Sequence, residues 1–329
     1  MGYKAGMSRP AVAVIGGGTW GVALAAAAAR TGGLTLLLSR RFLRGEETPP
    51  PGVTLARDEA DVAERARVLV LAVPSGVARD VAAALGARVD GRHFVVHGVR
   101  GLVSRPHGDR RDDRVHELET VSDIVRDETP VRRVGALGGP ALASDLLAGR
   151  PTVMACASRY PEVTRALLAV FTSPDLRLDV IDDLLGLEWA SALVGCLAIG
   201  AGYARGAGLG PGQLAAMITR AVEEAARLAS AAGGHERTLL GLAGYGDLLA
   251  SIDQRERPEV VLGAALAQGK SLDAALADAQ QRVEAVELTA RVVAWAEAKG
   301  VHAPILGAVA HHVLAGRPPA GLLRDLLSA

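Results

Sequence analysis

Residues 11–24, AVAVIGGGTWGVAL, decide how this chain is read. The run from Ala11 to Ile15 is apolar and rich in β-branched residues, as a buried strand is. Gly16, Gly18 and Gly21 then follow at G-x-G-x-x-G spacing, with Thr19 and Trp20 inside the loop and an Ala-rich helix former behind it. Strand, glycine loop and helix in that order form the phosphate-binding turn of a dinucleotide fold. Gly16 permits the tight turn, Gly18 lets the backbone approach a pyrophosphate, and Gly21 lets the helix pack close to the strand. The first turn of the helix offers free N–H groups and the positive end of its dipole. Gly16, Gly18, Thr19, Trp20 and Gly21 are therefore candidate cofactor residues.

Outward from this loop, strands and helices alternate. Ala11–Ile15, Leu34–Leu38, Val68–Val73, His93–His97, Arg133–Leu137 and Thr152–Cys156 read as strands. Trp20–Arg30, Val77–Leu85 and Arg114–Arg126 read as helices, and Arg100–Arg114 as a solvated loop. Such alternation predicts an α/β domain with a doubly wound parallel sheet. After Asp182-Asp183 the strand signal stops. Long Ala/Leu stretches punctuated by Gly predict an all-helical second domain. The expected division is residues 1–183, the dinucleotide-binding domain, and 184–329, a helical substrate and dimerisation domain.

Composition narrows the partners. The chain has 329 residues, with 36 Lys and Arg against 36 Asp and Glu. A balanced charge with no basic stripe argues against nucleic acid. Cys156 and Cys196 lie in apolar runs and read as buried, reduced thiols. The opening MGYKAGMSRP has no apolar core of a secretory leader, and Ala5-Gly6 stand where a myristoylation signal wants a hydroxyl residue. A cytoplasmic protein is expected. Leu184–Tyr203 is apolar enough to raise a membrane span, but it carries Glu188 with many Gly and Ala, so a buried core helix is expected instead. His311-His312 are adjacent and face different directions on a helix. No metal site is expected.

The second strand ends Leu38-Ser39-Arg40-Arg41. In a dinucleotide fold this position faces the adenosine ribose, where an acidic residue would hold the 2′-hydroxyl of NAD. A serine followed by two arginines suits a 2′-phosphate. Ser39, Arg40 and Arg41 thus predict NADP(H) as the preferred cofactor, with NAD(H) possible.

From about Ala11 to about Leu326 the chain resembles the bacterial NAD(P)-dependent sn-glycerol-3-phosphate dehydrogenases. The loop with Trp20 is similar to that family's G-x-G-x-W-G. Ala72-Val73-Pro74-Ser75 matches its A-V-P-S turn, and Gly139-Pro140 with Ala143 resembles its S-G-P-S-F-A segment. Gly200–Gly210, Ile218-Thr219-Arg220, Gly241–Gly244 with Gly246-Asp247-Leu248, and Gln268–Leu272 follow its order. The resemblance implies hydride transfer between NAD(P)H and dihydroxyacetone phosphate or a related ketone, and a homodimer. It places Pro74, Gly139, Ala143 and Glu284 at the cofactor, and Asp247 and Ser251 in the active site.

Three departures bear on the chemistry. Val194 stands where the family has its proton-transfer lysine, and Gly195 where it has an asparagine. Arg100 replaces a second lysine. Pro258 takes the position of the arginine that binds the substrate phosphate, with Glu259 beside it. Valine donates no proton; a positioned acid contributes about a hundred- to ten-thousand-fold. Arg100 keeps the charge, but its pKa is too high for an acid. Asp247, the lysine's partner in the family, is here an orphan carboxylate. His97, at the C-terminal end of a predicted strand, is a replacement donor by pKa range. Tyr203 and Tyr245 are weaker ones, and His235 reads as a loop residue. Arg255 and Arg257 would reach the substrate if the Pro258 loop were rearranged. The register predicts Arg100, Asp247, Ser251 and Val194 together in a cleft between the domains, facing the nicotinamide.

Three functions are compatible with these residues. The first is the family's own reaction with a small-molecule substrate, at much reduced turnover. The second is a dehydrogenase for another, non-phosphorylated substrate. The third is a non-catalytic NADP(H)-binding sensor or interaction protein.

Overall fold

The computed structural model describes residues 9–315 apart from 46 and 105–116. Runs such as Val12–Ile15 and Val68–Leu71, apolar at every position, are buried on both sides only in a parallel sheet covered by helices. They occupy that place here. The strands are β1 (Val12–Ile15), β2 (Thr35–Leu38), β3 (Val53–Leu55), β4 (Val68–Leu71), β5 (Phe94–His97), β6 (Val103–Ser104), β7 (Leu118–Glu119), β8 (Val134–Gly138), β9 (Thr152–Ala157) and β10 (Leu176–Ile181). Eight of them form one sheet in the order β10-β9-β8-β5-β4-β1-β2-β3. The six strands from β3 to β8 in that order run parallel. The expected α/β sheet is therefore present, with one difference: β9 pairs antiparallel to β8, and β10 parallel to β9.

Two strands in the sheet escape the sequence reading. β3 is three residues long, too short for a periodicity. β10, LRLDVI, alternates buried and open side chains because it lies at the sheet edge. The helix expected over Arg114–Arg126 is found at Val121–Glu128; residues 114–116, and 105–114 of the expected loop, lie outside the described residues.

Two compact units result: Met1–Val99 with Val121–Leu187, and Arg100–Thr120 with Glu188–Ala329. The division in the second half falls four residues beyond the expected one, and the segment starting at Arg100 belongs to the second unit. Among its described residues that unit is helical apart from the small β6–β7 pair. The Leu184–Gly206 helix is long and apolar enough to cross a membrane, but 94% of its apolar window is buried inside the protein.

Glycines let this helix approach the Pro258–Ala267 helix backbone to backbone. A Cβ on Gly263 would stand 2.1 Å from the Ile199 carbonyl oxygen, and one on Gly202 would stand 2.4 Å from that of Val260. A second tie is polar. Glu224, fully buried on the Pro211–Ala231 helix, accepts hydrogen bonds from the backbone N–H groups of Ile305 and Leu306, both at 2.8 Å. These are orphan donors of a helix first turn, satisfied by a carboxylate from another helix. Glu224→Ala leaves two buried N–H groups unpaired and is expected to cost about 2–4 kcal/mol. Urea denaturation checks this; a loss below about 0.5 kcal/mol would mean that water reaches those groups.

Candidate active site

The loops after β1, β2, β4, β5 and β8 leave the sheet along one edge, the C-terminal edge of its parallel strands, where open α/β sheets bind ligands. The residues nominated for the cofactor in the first unit lie on these loops. Gly16 has φ +124°, and a Cβ there would stand 2.1 Å from the Ala72 carbonyl oxygen; one on Gly21 would meet the Gly16 oxygen at 2.0 Å. Both positions require glycine. A Cβ on Gly18, by contrast, meets nothing within 4 Å. Gly18 caps the Thr19–Ala29 helix with no side-chain cap and no acidic residue in the first turn. Open space beside free N–H groups suits a pyrophosphate, so the cradle fits a dinucleotide. Trp20 is partly buried, its indole packed against Gly98, where a Cβ would lie 2.7 Å from Nε1.

After β2 the three candidates separate. Ser39 is buried against Gly17. Arg40 and Arg41 are exposed. Arg41 donates to the Gly17 carbonyl at 2.6 Å and pairs with Glu47 at 3.3 Å. Pro74 precedes a short 3-10 turn after β4, Gly139 follows β8 at φ +106°, and Ala143 begins the Ala143–Ala148 helix. Glu284 stands in the second unit at the head of the Ala285–Lys299 helix.

The second unit gathers a buried polar cluster. Arg100 Nη2 donates to Asp247 Oδ1 at 2.9 Å; the Arg100 side chain is 33% exposed and the Asp247 side chain fully buried. Ser251, one helical turn on, donates to the Asp247 carbonyl oxygen at 2.5 Å and lies 3.5 Å from Oδ1. Arg257 Nη1 donates to Ser251 Oγ, and its Nε donates to Glu259 Oε2 at 2.8 Å. Asp247 Oδ2 is buried with no hydrogen-bond partner among the described residues. Burial raises the Asp247 carboxyl above the usual carboxylate range, although Arg100 and Arg257 pull it down.

Local sequence explains these placements. A π-helical turn, Leu242–Gly246, delivers Asp247 into the core; such turns are frequent at functional sites. Gly244 permits it, because a Cβ there would lie 2.3 Å from the Leu239 carbonyl oxygen. Pro258 opens the next helix at its first position, and Arg257 before it is extended, with φ −65° and ψ 129°. The extended residue turns back onto Ser251.

Arg100, Asp247 and Ser251 thus come together within the second unit. Val194 does not join them. It is 2% exposed and lines an apolar cavity of about 10 Å³ with Leu193, Leu197, Leu239 and Leu248. A Cβ on Gly195 would lie 3.6 Å from Glu259 Oε1, so the Glu259 carboxylate lies close over the bare backbone. His97 sits in the first unit, 2% exposed, its Nδ1 accepting from Val99 N at 3.4 Å and its Nε2 3.5 Å from Ser122 Oγ. Arg257 is the residue the sequence reading left outside the site; it reaches Ser251 with the Pro258 helix as it stands. Burial pushes both cysteine thiols up to about 12, which removes them as nucleophiles.

Comparison with known proteins agrees with both units. Residues 11–164 match the family described as NAD-dependent glycerol-3-phosphate dehydrogenase N-terminus, and residues 183–324 match the corresponding C-terminus. The glycerol-3-phosphate dehydrogenase [NAD(P)+] of Gluconobacter oxydans is 34% identical over 95% of this chain and 98% of its own length. That of Thermobifida fusca is 31% identical over 96% of each. The crystal structure of the Coxiella burnetii glycerol-3-phosphate dehydrogenase superposes with a TM-score of 0.86 at 26% identity, covering 98% of this chain and 99% of that one. A glycine cradle at the sheet edge, a helical second unit and matches spanning nearly the whole chain lead to one assignment: this protein belongs to the NAD-dependent glycerol-3-phosphate dehydrogenase family.

Proposed function

We propose that this oxidoreductase reduces dihydroxyacetone phosphate or a closely related ketone with NADPH, and that Asp247, held by Arg100, takes the proton-transfer role that a lysine has in its relatives. The observation that carries this reading is the Arg100–Asp247 pair, with Asp247 Oδ2 unpartnered among the described residues. A nicotinamide dinucleotide supplies the hydride when bound. Arg100 offers the charge that stabilises a developing alkoxide. Asp247 Oδ2 holds the proton, its affinity raised by burial. Ser251 Oγ donates to the Asp247 carbonyl oxygen on the same helix and lies 3.5 Å from Oδ1. His97 acts as a positioning residue for the turn after β5. Initial rates of NADPH oxidation by the native chain with dihydroxyacetone phosphate test the reaction. The absence of turnover on this and other small ketones, with NADPH still bound, would favour the sensor reading instead.

Cofactor choice rests on Arg40 and Arg41. Replacing both with Ala is expected to weaken NADPH by about tenfold or more while changing NADH little, since charge-assisted bonds to a phosphate contribute about 1.5–3 kcal/mol. Fluorescence titration with both nucleotides checks this. Equal losses for the two would assign the arginines to the loop alone, consistent with the Arg41–Gly17 contact.

A further inference from the structure

Ser191, on the Leu184–Gly206 helix, is 1% exposed, and its Oγ makes no hydrogen bond among the described residues. A serine or threonine inside a helix commonly gives its hydrogen to the carbonyl one turn back. Elsewhere in the second unit such residues do so: Thr219 to Ala215 at 3.0 Å, Ser251 to Asp247 at 2.5 Å and Thr289 to Ala285 at 2.6 Å. Ser191 leaves that bond unmade in a place where an unpaired polar group is costly.

The helix fixes where this hydroxyl lies. One turn on, Gly195 faces the Pro258–Ala267 helix, where a Cβ would lie 3.6 Å from Glu259 Oε1. The two helices run the same way, with Gly202 against Val260 and Gly206 against Ala264. Residues four apart share a helix face, and side chains lean toward the N-terminus. Ser191 therefore lies past the head of the Pro258–Ala267 helix, on the side from which Arg257 approaches. Its neighbours Ala190 and Val194 line a cavity with Gly244 and Leu248, which flank Asp247. The hydroxyl is thus placed toward the Arg100, Asp247, Ser251 and Arg257 cluster, where Asp247 Oδ2 is the other buried oxygen without a partner among the described residues.

From this geometry we propose that Ser191 is a substrate-binding residue whose hydroxyl pairs with a free hydroxyl on the carbon next to the ketone, so that the site selects α-hydroxyketones. This rests on the reading of the cluster as the substrate site and adds what the substrate must carry. Ser191 Oγ both donates and accepts and bears no charge. A neutral hydroxyl satisfies it without bringing a charge into a buried place, whereas a phosphate oxygen would bring charge and offer no donor. With Asp247 Oδ2 on the oxygen that reduction turns into an alcohol, the group on the adjacent carbon is the next polar atom of the substrate. Ser191 transfers no proton. It holds the ketone by that adjacent hydroxyl, with the carbonyl toward Asp247. A ketone without the hydroxyl leaves the serine unpaired and buried, and a site built to pair with a substrate hydroxyl rejects such an analogue strongly.

Dihydroxyacetone phosphate and acetol phosphate, the same molecule without its free hydroxyl, are the probes. The native full chain is expected to favour the first by about ten- to a hundredfold in kcat/KM. Ser191→Ala should cut that ratio by about tenfold. A merely structural serine would lower both rates alike and leave the ratio where it was. Calorimetric titration of the two ketones onto the chain with NADP+ bound reads the same ratio as dissociation constants, because the oxidised nucleotide has no hydride to give. Urea denaturation of the free chain adds a second readout. Ser191→Ala should raise the midpoint, since it removes an unpaired hydroxyl and improves helix propensity. A lower midpoint would show the hydroxyl already satisfied, by a buried water for instance, and would overturn the proposal. So would equal binding of the two ketones by the native chain, or a ratio that Ser191→Ala leaves unchanged. Absent turnover, with the binding ratio present and lost in Ser191→Ala, would keep the proposal and sink the dehydrogenase reading. Binding of neither ketone would overturn both.

Discussion

Asp247→Asn is expected to lower kcat for NADPH-dependent ketone reduction by about a hundred- to ten-thousand-fold, the usual contribution of a positioned acid. The substitution keeps the volume and an oxygen for Arg100, so the fold has little reason to fail. What it removes is the atom that holds the proton. Ser251 still donates to the backbone carbonyl of residue 247 and Arg257 to Ser251, because neither bond uses Oδ2. The loss should therefore fall on kcat more than on KM. It should also flatten the alkaline limb of the pH–rate profile, where the native carboxyl loses its proton. A rise in KM with kcat intact would make Asp247 a holder of Arg100 and nothing more.

Gly263→Ala is expected to destabilise the second unit by about 3 kcal/mol or more, at the upper end for overpacking. Alanine is the better helix former by about 1 kcal/mol, so helix propensity alone predicts the opposite sign. The difference is decided by space. The new Cβ would lie 2.1 Å from the Ile199 carbonyl oxygen and 2.6 Å from the Tyr203 nitrogen, both backbone atoms inside a helix. Relief requires the Leu184–Gly206 helix and the Pro258–Ala267 helix, which carries Arg257 at its head, to move apart. Chemical denaturation with NADPH oxidation measured in parallel should show lower stability together with a fall in turnover. Unchanged or higher stability would mean that the two helices lie farther apart than described.

Much of the first unit was legible because its signals are local. The glycine loop and the apolar strands each occupy a few consecutive residues whose spacing has one mechanical reading. The second unit's site was legible only through register with relatives. Arg100 and Asp247 are 147 residues apart, and no periodicity links them. Register also hid Arg257: with Pro258 in the arginine's place, the anchor looked lost. The signal was present in the same dipeptide. A residue before proline is forced extended, and at a helix start that turns its side chain out of the helix direction. Val194 failed for a related reason. Its position follows from register, but an isopropyl group gains nothing from a polar cluster, and it lines an apolar cavity among leucines instead. The antiparallel β9 carried no signal, because a buried strand looks the same in either direction.

The central claim is that this chain keeps the family's reaction with a carboxyl group in place of the lysine. Initial rates of NADPH oxidation at saturating dihydroxyacetone phosphate, native chain beside Val194→Lys, test it most directly. The account predicts measurable native turnover and no gain in Val194→Lys, since an ammonium at residue 194 enters an apolar cavity while Arg100 already occupies Asp247. No native turnover, with activity appearing in Val194→Lys, would contradict it and return the proton-transfer role to the lysine.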